Sequence, residues 1–112
     1  MSEPGALLLS AAVEGPVAFA LVALAGWRSR GPIHVALAAM LATAATHPQL
    51  WAGALWLYPR IGYAAGVAVA EAAVVLVEAV VIGWAAGMPA ARALAVSAVA
   101  NGASAGLGLV LA

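Results

Sequence analysis

The chain has 112 residues, of which 67% are hydrophobic and only 7% are charged, and its four basic and four acidic side chains give a formal net charge of zero. An ordinary soluble domain carries about 25% charged residues, and a globule of this size cannot bury so large a share of apolar surface. The composition therefore excludes a soluble monomer and predicts the lipid bilayer as partner. The zero net charge excludes nucleic-acid binding, and the absence of cysteine excludes disulfides and thiolate metal sites.

Four apolar segments follow one another along the chain, each long enough to cross a membrane, which takes about 20 residues. The predicted helices cover residues 5–27, 32–58, 61–87 and 90–112. Pro32 suits a first helical turn, and Gly87 followed by Pro89 is typical of a helix end. Helices joined by such short loops pack as antiparallel neighbours. The sequence thus predicts an all-α integral membrane protein with a single domain over residues 1–112, an antiparallel bundle of four transmembrane helices.

Arginines near the helix ends predict the orientation, since cytoplasmic loops carry an excess of basic residues. Arg28, Arg30 and Arg92 fall on one side of the membrane and Arg60 alone on the other. This bias predicts a multi-pass protein of the cell inner (plasma) membrane with both termini outside the cytoplasm. No basic region precedes the first segment, which also contains Glu14, so we interpret it as a retained helix rather than as a cleaved signal peptide.

The residues that a bilayer should exclude carry the functional signal. Near the middle of the predicted helices lie Glu14, His47, Glu71, Glu78 and Asn101. A charged side chain at the bilayer centre costs about 2.5–3.5 kcal/mol, so these groups must contact one another, hold protons or bind an ion. We therefore predict that the five residues form an ion-binding cluster in the interior of the bundle.

Depth along each helix divides the predicted cluster into two layers, because each residue advances an α-helix by about 1.5 Å. The outer layer, near the second loop, contains Glu14, His47 and Glu71. The inner layer contains Glu78, Asn101 and Ser97. Carboxylate and imidazole ligands suit zinc, iron or manganese, so the outer layer is also a candidate site for a divalent metal ion.

Two prolines interrupt the predicted helices beside ionisable residues. Pro16 follows Glu14 by two positions, and Pro48 directly follows His47. A proline inside a helix leaves the carbonyl four residues earlier without its helical donor. Because interrupted membrane helices commonly mark ion sites, this pairing favours a binding role for the cluster.

The leading interpretation is a small polytopic membrane protein that binds and moves a cation or protons through the Glu/His/Asn cluster. One alternative is a non-transporting membrane subunit or scaffold with a hydrogen-bonded polar core. A second alternative is an intramembrane, metal-dependent enzyme that acts on a lipid or a small hydrophobic substrate. The sequence has no phosphate loop, nucleophile elbow or metalloprotease motif, so no catalytic residue is predicted. Because a bundle of four short helices is slim, we also expect a homo-oligomer or a larger membrane complex.

Overall fold

The computed structural model describes residues 2–27 and 29–111, and within these ranges the chain forms four α-helices. They are α1 (Glu3–Ala25), α2 (Pro32–Ile61), α3 (Tyr63–Ala86) and α4 (Ala90–Leu111). The longest is α2, with 30 residues. Arg28, which contributes to the predicted orientation, lies outside the described residues, as does position 112 at the end of the predicted fourth helix.

Local hydrogen bonds explain where α1 begins and ends. The Ser2 hydroxyl accepts a hydrogen bond from the Gly5 amide at 3.1 Å, which satisfies one of the free donors at the helix start. At the other end Gly26 has φ of +66° and donates its amide to the Val22 carbonyl at 3.0 Å. A side chain would strain this left-handed conformation. The helix therefore ends at Ala25, two residues before the predicted end at position 27.

The turn between α2 and α3 is a single residue, Gly62, with φ of +88°. The last turn of α2 continues past the predicted end at position 58, because Arg60 donates Nη1 to the Trp56 carbonyl at 2.6 Å and Gly62 donates its amide to the Tyr58 carbonyl at 3.0 Å. These donors satisfy carbonyls that a helix end otherwise leaves free. The chain then reverses directly into α3.

The four helices pack in a ring, in which α1 and α3 each contact both α2 and α4. The bundle measures 42 × 24 × 20 Å. We call the end that carries Gly62 the α2–α3 end; the start of α1 and the end of α4 lie there as well. The opposite end carries the α1–α2 and α3–α4 turns, which Arg30 joins by donating its amide to the Ala86 carbonyl at 2.8 Å.

Apolar side chains fill the half of the bundle next to the opposite end. This apolar core consists of Ala18, Val22, Val35, Ala38, Ala39, Ile82, Ala86, Met88, Ala93 and Val96. All come from the last part of α1 and α3 or from the first part of α2 and α4, together with the turn residue Met88. Polar side chains are instead buried in the middle of the bundle.

The outer surface is also apolar, as expected for a protein in lipid. Leu24, Trp84 and Val110 are largely exposed, and three helices in the described part of the chain, α1, α3 and α4, are long and apolar enough to cross a membrane. The helix α2 is not one of these three. Its middle carries the polar residues Thr43 and His47 and others nearby, which lower its hydropathy.

Candidate functional site

The centre of the bundle contains two buried carboxyl groups joined by one hydroxyl. Glu14 of α1 and Glu78 of α3 each expose only 1% of their surface. Thr43 of α2 lies between them, with Oγ1 at 3.0 Å from Glu14 Oε1 and 3.4 Å from Glu78 Oε1. Three helices therefore meet at this hydroxyl, and we call Glu14 and Glu78 the carboxyl pair.

Helix α4 completes the environment of Glu78. Asn101 donates Nδ2 to Glu78 Oε1 at 3.1 Å and to the Ser97 carbonyl at 2.9 Å. Ser97 in turn donates its hydroxyl to the Val75 carbonyl of α3 at 2.8 Å. These bonds fix Asn101 as an amide donor toward the carboxyl pair, and they tie α4 to α3 at the same depth.

The other oxygen of Glu78 contacts Thr46, one helical turn after Thr43 on α2. Thr46 Oγ1 lies 2.7 Å from Glu78 Oε2 and 2.9 Å from the Ala42 carbonyl. A threonine hydroxyl has one proton to donate, yet Thr43 has two acceptors within hydrogen-bond distance and Thr46 has three. A proton on Glu78 Oε2 would supply the donor toward Thr46, and a proton on Glu14 the donor toward Thr43, so the geometry suits a carboxyl pair that holds protons.

His47 lies beside this network without joining it. The side chain is 5% exposed, and its Nε2 has no hydrogen-bond partner among the described residues. The ring packs against Trp51, with the ring centroids 5.9 Å apart. Since buried polar atoms normally have a partner, His47 Nε2 is the unsatisfied position of the site.

A small cavity of about 20 Å³ lies at the centre of the cluster, and side chains of all four helices line it. The five sequence-predicted residues Glu14, His47, Glu71, Glu78 and Asn101 are all among them. We call this space the central cavity.

Glu71 lines both the central cavity and a wider space. This half-buried residue also lines a pocket of about 260 Å³ at the α2–α3 end, together with Trp51, Tyr58, Tyr63 and Gly108. We call this space the end pocket. Glu71 is thus the predicted site residue nearest to the α2–α3 end.

The predicted division into two layers does not describe Glu14. Thr43 contacts both Glu14 and Glu78, so the two carboxyl groups form one group rather than two levels. The helix α1 begins at Glu3, earlier than the predicted position 5, and ends earlier as well, which places Glu14 at its middle. Long glutamate side chains span the remaining difference in depth.

Two threonines of the site lie outside the five predicted cluster residues. The sequence places Thr43 one helical turn from His47 on the polar face of α2, but it predicts no role for Thr46. Threonine is common in apolar helices because it can bond to its own helix, as Thr46 does with the Ala42 carbonyl. Their spacing of three residues from each other, with His47 next to Thr46, places them on one helix face. That spacing is the signal that could have identified them.

The predicted metal ligands Glu14, His47 and Glu71 line the central cavity together. Within residues 2–27 and 29–111, however, no three His, Cys, Asp or Glu side chains are arranged to hold a metal ion. The arginines with described contacts lie elsewhere: Arg60 is over the Trp56 ring at 3.9 Å and Arg92 faces the Trp27 ring at 5.7 Å.

Comparison of the chain with protein-family models, curated proteins and solved structures finds no match.

Proposed function

We propose that this chain is a small polytopic membrane protein, crossing the membrane with all four helices, that binds and moves protons or another cation through the central cluster. The observation that carries the proposal is the carboxyl pair, two glutamates with 1% exposure each that share the Thr43 hydroxyl. Acidic groups in the interior of membrane bundles commonly mark proton relays and ion pathways. Two buried carboxyl groups are a suitable site for the uptake and release of a proton or another cation.

The hydrogen-bond pattern favours protons as the species. The Glu78 oxygens lie close to Asn101 Nδ2 and to the Thr46 hydroxyl, while neither Thr43 nor Thr46 has enough protons for its acceptors. Protons on the carboxyl groups would supply the donors that these two hydroxyls lack. A cation would have to replace these protons and gather oxygen ligands from the same side chains.

The proposed location is the cell plasma membrane, with both termini outside the cytoplasm. The side that carries Arg30 and Arg92 would then be cytoplasmic. In this orientation the end pocket faces outward.

Proton movement is testable in vesicles. Purified protein is reconstituted into liposomes that contain a pH-sensitive dye, and a potassium diffusion potential drives proton entry. We expect dye acidification with the wild-type protein and none above protein-free vesicles with Glu78→Gln or Glu14→Gln, because glutamine keeps the size but cannot ionise. Glu3→Gln, the same change at the start of α1, serves as the matched control and should conduct like wild type.

The same vesicles identify the transported species. Indicators for sodium, potassium and divalent ions replace the pH dye, with the same four proteins. Flux of one of these ions without acidification would show that this ion, and not the proton, is the transported species. Equal signals from wild type, both cluster variants and empty vesicles would contradict transport.

The scaffold alternative is supported by a different observation, the density of hydrogen bonds across the cluster. The bonds from Thr43, Asn101 and Ser97 join all four helices, as expected if the polar core only fixes helix register. A scaffold would show no flux in any variant but would lose stability in Glu78→Gln. Interhelical hydrogen bonds in membranes are worth about 0.6 kcal/mol on average, so that loss should be small.

A further inference from the structure

The central cavity has the size of one water molecule. Its volume is about 20 Å³, and a cavity needs roughly 10–15 Å³ to hold a water. Such a water also needs two to four polar partners. His47 Nε2 is buried and has no hydrogen-bond partner in the described part of the chain, and His47 lines this cavity. The cavity volume and the unpartnered nitrogen are independent observations, and both indicate a water molecule.

Every helix contributes polar groups to the cavity wall. The titratable groups are Glu14 from α1, His47 from α2, and Glu71 and Glu78 from α3. Helix α4 contributes Asn101 and Ser104, neither of which ionises. A water bonded to His47 Nε2 therefore has carboxyl oxygens within the same wall as further partners.

The surroundings of the cavity differ between the two ends of the bundle. Toward the α2–α3 end lies the end pocket of about 260 Å³, and Glu71 lines both spaces. Toward the opposite end lies the apolar core, where Ala39 and Ile82 are at most 1% exposed. Apolar constrictions exclude water in membrane pores.

We propose that the central cavity holds one water molecule bonded to His47 Nε2, and that this water enters from the α2–α3 end past Glu71 while the apolar core closes the opposite end. The inference rests on the proposed function in one respect, since the cavity is the site through which the cargo would move. It adds the immediate ligand of the site and the end from which the site is loaded.

The route is testable by cysteine labelling, because the chain has no cysteine of its own. Ala105 of α4 lines the end pocket, and Ala39 of α2 lies in the apolar core. Single variants Ala105→Cys and Ala39→Cys are compared in liposomes with a charged, water-soluble thiol reagent. We expect position 105 to react roughly tenfold faster or more, because the reactive thiolate forms only where water reaches it.

A folding control accompanies this comparison. Both variants should be fully modified after denaturation in detergent, and both should elute like wild type on size-exclusion chromatography. If one variant does not fold, Gly108→Cys in the end pocket or Ala93→Cys in the core takes its place. Equal labelling rates at pocket and core positions would overturn the one-sided route.

The water itself is tested by nuclear magnetic resonance on protein with labelled histidine in nanodiscs. We expect a cross-peak between the His47 ring and a slowly exchanging water, whereas the exposed His34 should exchange directly with bulk water. Ser10→Val places methyl groups at the cavity wall and should abolish the His47 cross-peak without changing that of His34. A His47 ring without a water contact in the wild-type protein would overturn the proposal.

The outcomes separate this inference from the proposed function. If the vesicles show no flux but labelling is one-sided and a water contacts His47, the transport proposal is contradicted and the bound water and its route are retained. Vesicles with proton flux, combined with rapid labelling at position 39, would keep transport and remove the closed end.

Discussion

Thr43 contacts both carboxyl groups of the pair. Its hydroxyl lies between Glu14 and Glu78, and the residue as a whole is 3% exposed. Thr46 contacts Glu78 Oε2 but is only half-buried. It also lines a wide groove on the surface between α2 and α3. Thr43 therefore contacts both buried carboxyl groups, whereas Thr46 contacts only that of Glu78.

Replacing Thr43 should be more costly than replacing Thr46. Thr43→Val preserves the shape and removes the hydroxyl, so both carboxyl groups lose a partner, and an unsatisfied buried polar group costs about 1–3 kcal/mol. Thr46→Val removes the hydroxyl from Glu78 Oε2, while Asn101 still donates to the other oxygen, Oε1. Because Thr46 is half-buried, we expect a loss of about 0.6 kcal/mol. Unfolding of both variants in mixed micelles measures the difference. Equal losses would show that Thr43 does not bridge the pair.

The sequence predicts the ionisable members of the site better than the neutral ones. Glu14 and Glu78 are conspicuous because an apolar helix has few reasons to carry an acidic residue. Thr43 and Thr46 are inconspicuous, because a threonine can always bond to its own helix. Pairing across helices also depends on helix ends. Because α1 begins two residues before the predicted start, Glu14 lies at the middle of the helix, between the two predicted layers.

At the scale of elements, α2 remains helical through Pro48. The proline removes the amide that would bond to the Ala44 carbonyl. The Gln49 amide lies 2.7 Å from the Ala45 carbonyl and 3.2 Å from the Thr46 carbonyl, so its nitrogen, the donor of the amide, is assigned to that side. The interruption lies directly beside His47, the residue with the unsatisfied nitrogen.

Pro48→Ala tests whether this interruption serves the site. Alanine restores the amide donor and removes the ring, so the free energy of unfolding should rise, by up to about 3 kcal/mol. Flux in vesicles should fall, since relief of a strained site commonly trades function for stability. Pro59→Ala, in the exposed last turn of the same helix, is the matched control and should leave flux unchanged. Unaltered flux in Pro48→Ala would show that the missing hydrogen bond at Pro48 is not needed for transport.

At the scale of the whole molecule, composition predicts a helical membrane protein because few other structures can satisfy the backbone in lipid. The number of crossings is harder to predict, because α2 combines the greatest length with the most polar middle. Its polar side chains face the interior, where Thr43 and His47 are buried. These residues lower the mean hydropathy of α2 although the other helices shield them from lipid. Burial by neighbours is information that a single segment does not contain.

Labelling from the two sides of the membrane decides whether α2 crosses it. Arg30 lies at one end of the bundle, bonded to the Ala86 carbonyl, and Arg60 lies in the last turn of α2 at the other end. If α2 spans the bilayer, a single cysteine at position 60 should react with an impermeant reagent added to intact cells, whereas one at position 30 should react only after the membrane is opened. Reversed accessibility would invert the orientation and keep four crossings. Reaction of both positions from the same side would show that α2 does not cross, and the carboxyl pair would then lie near one membrane surface rather than at its centre.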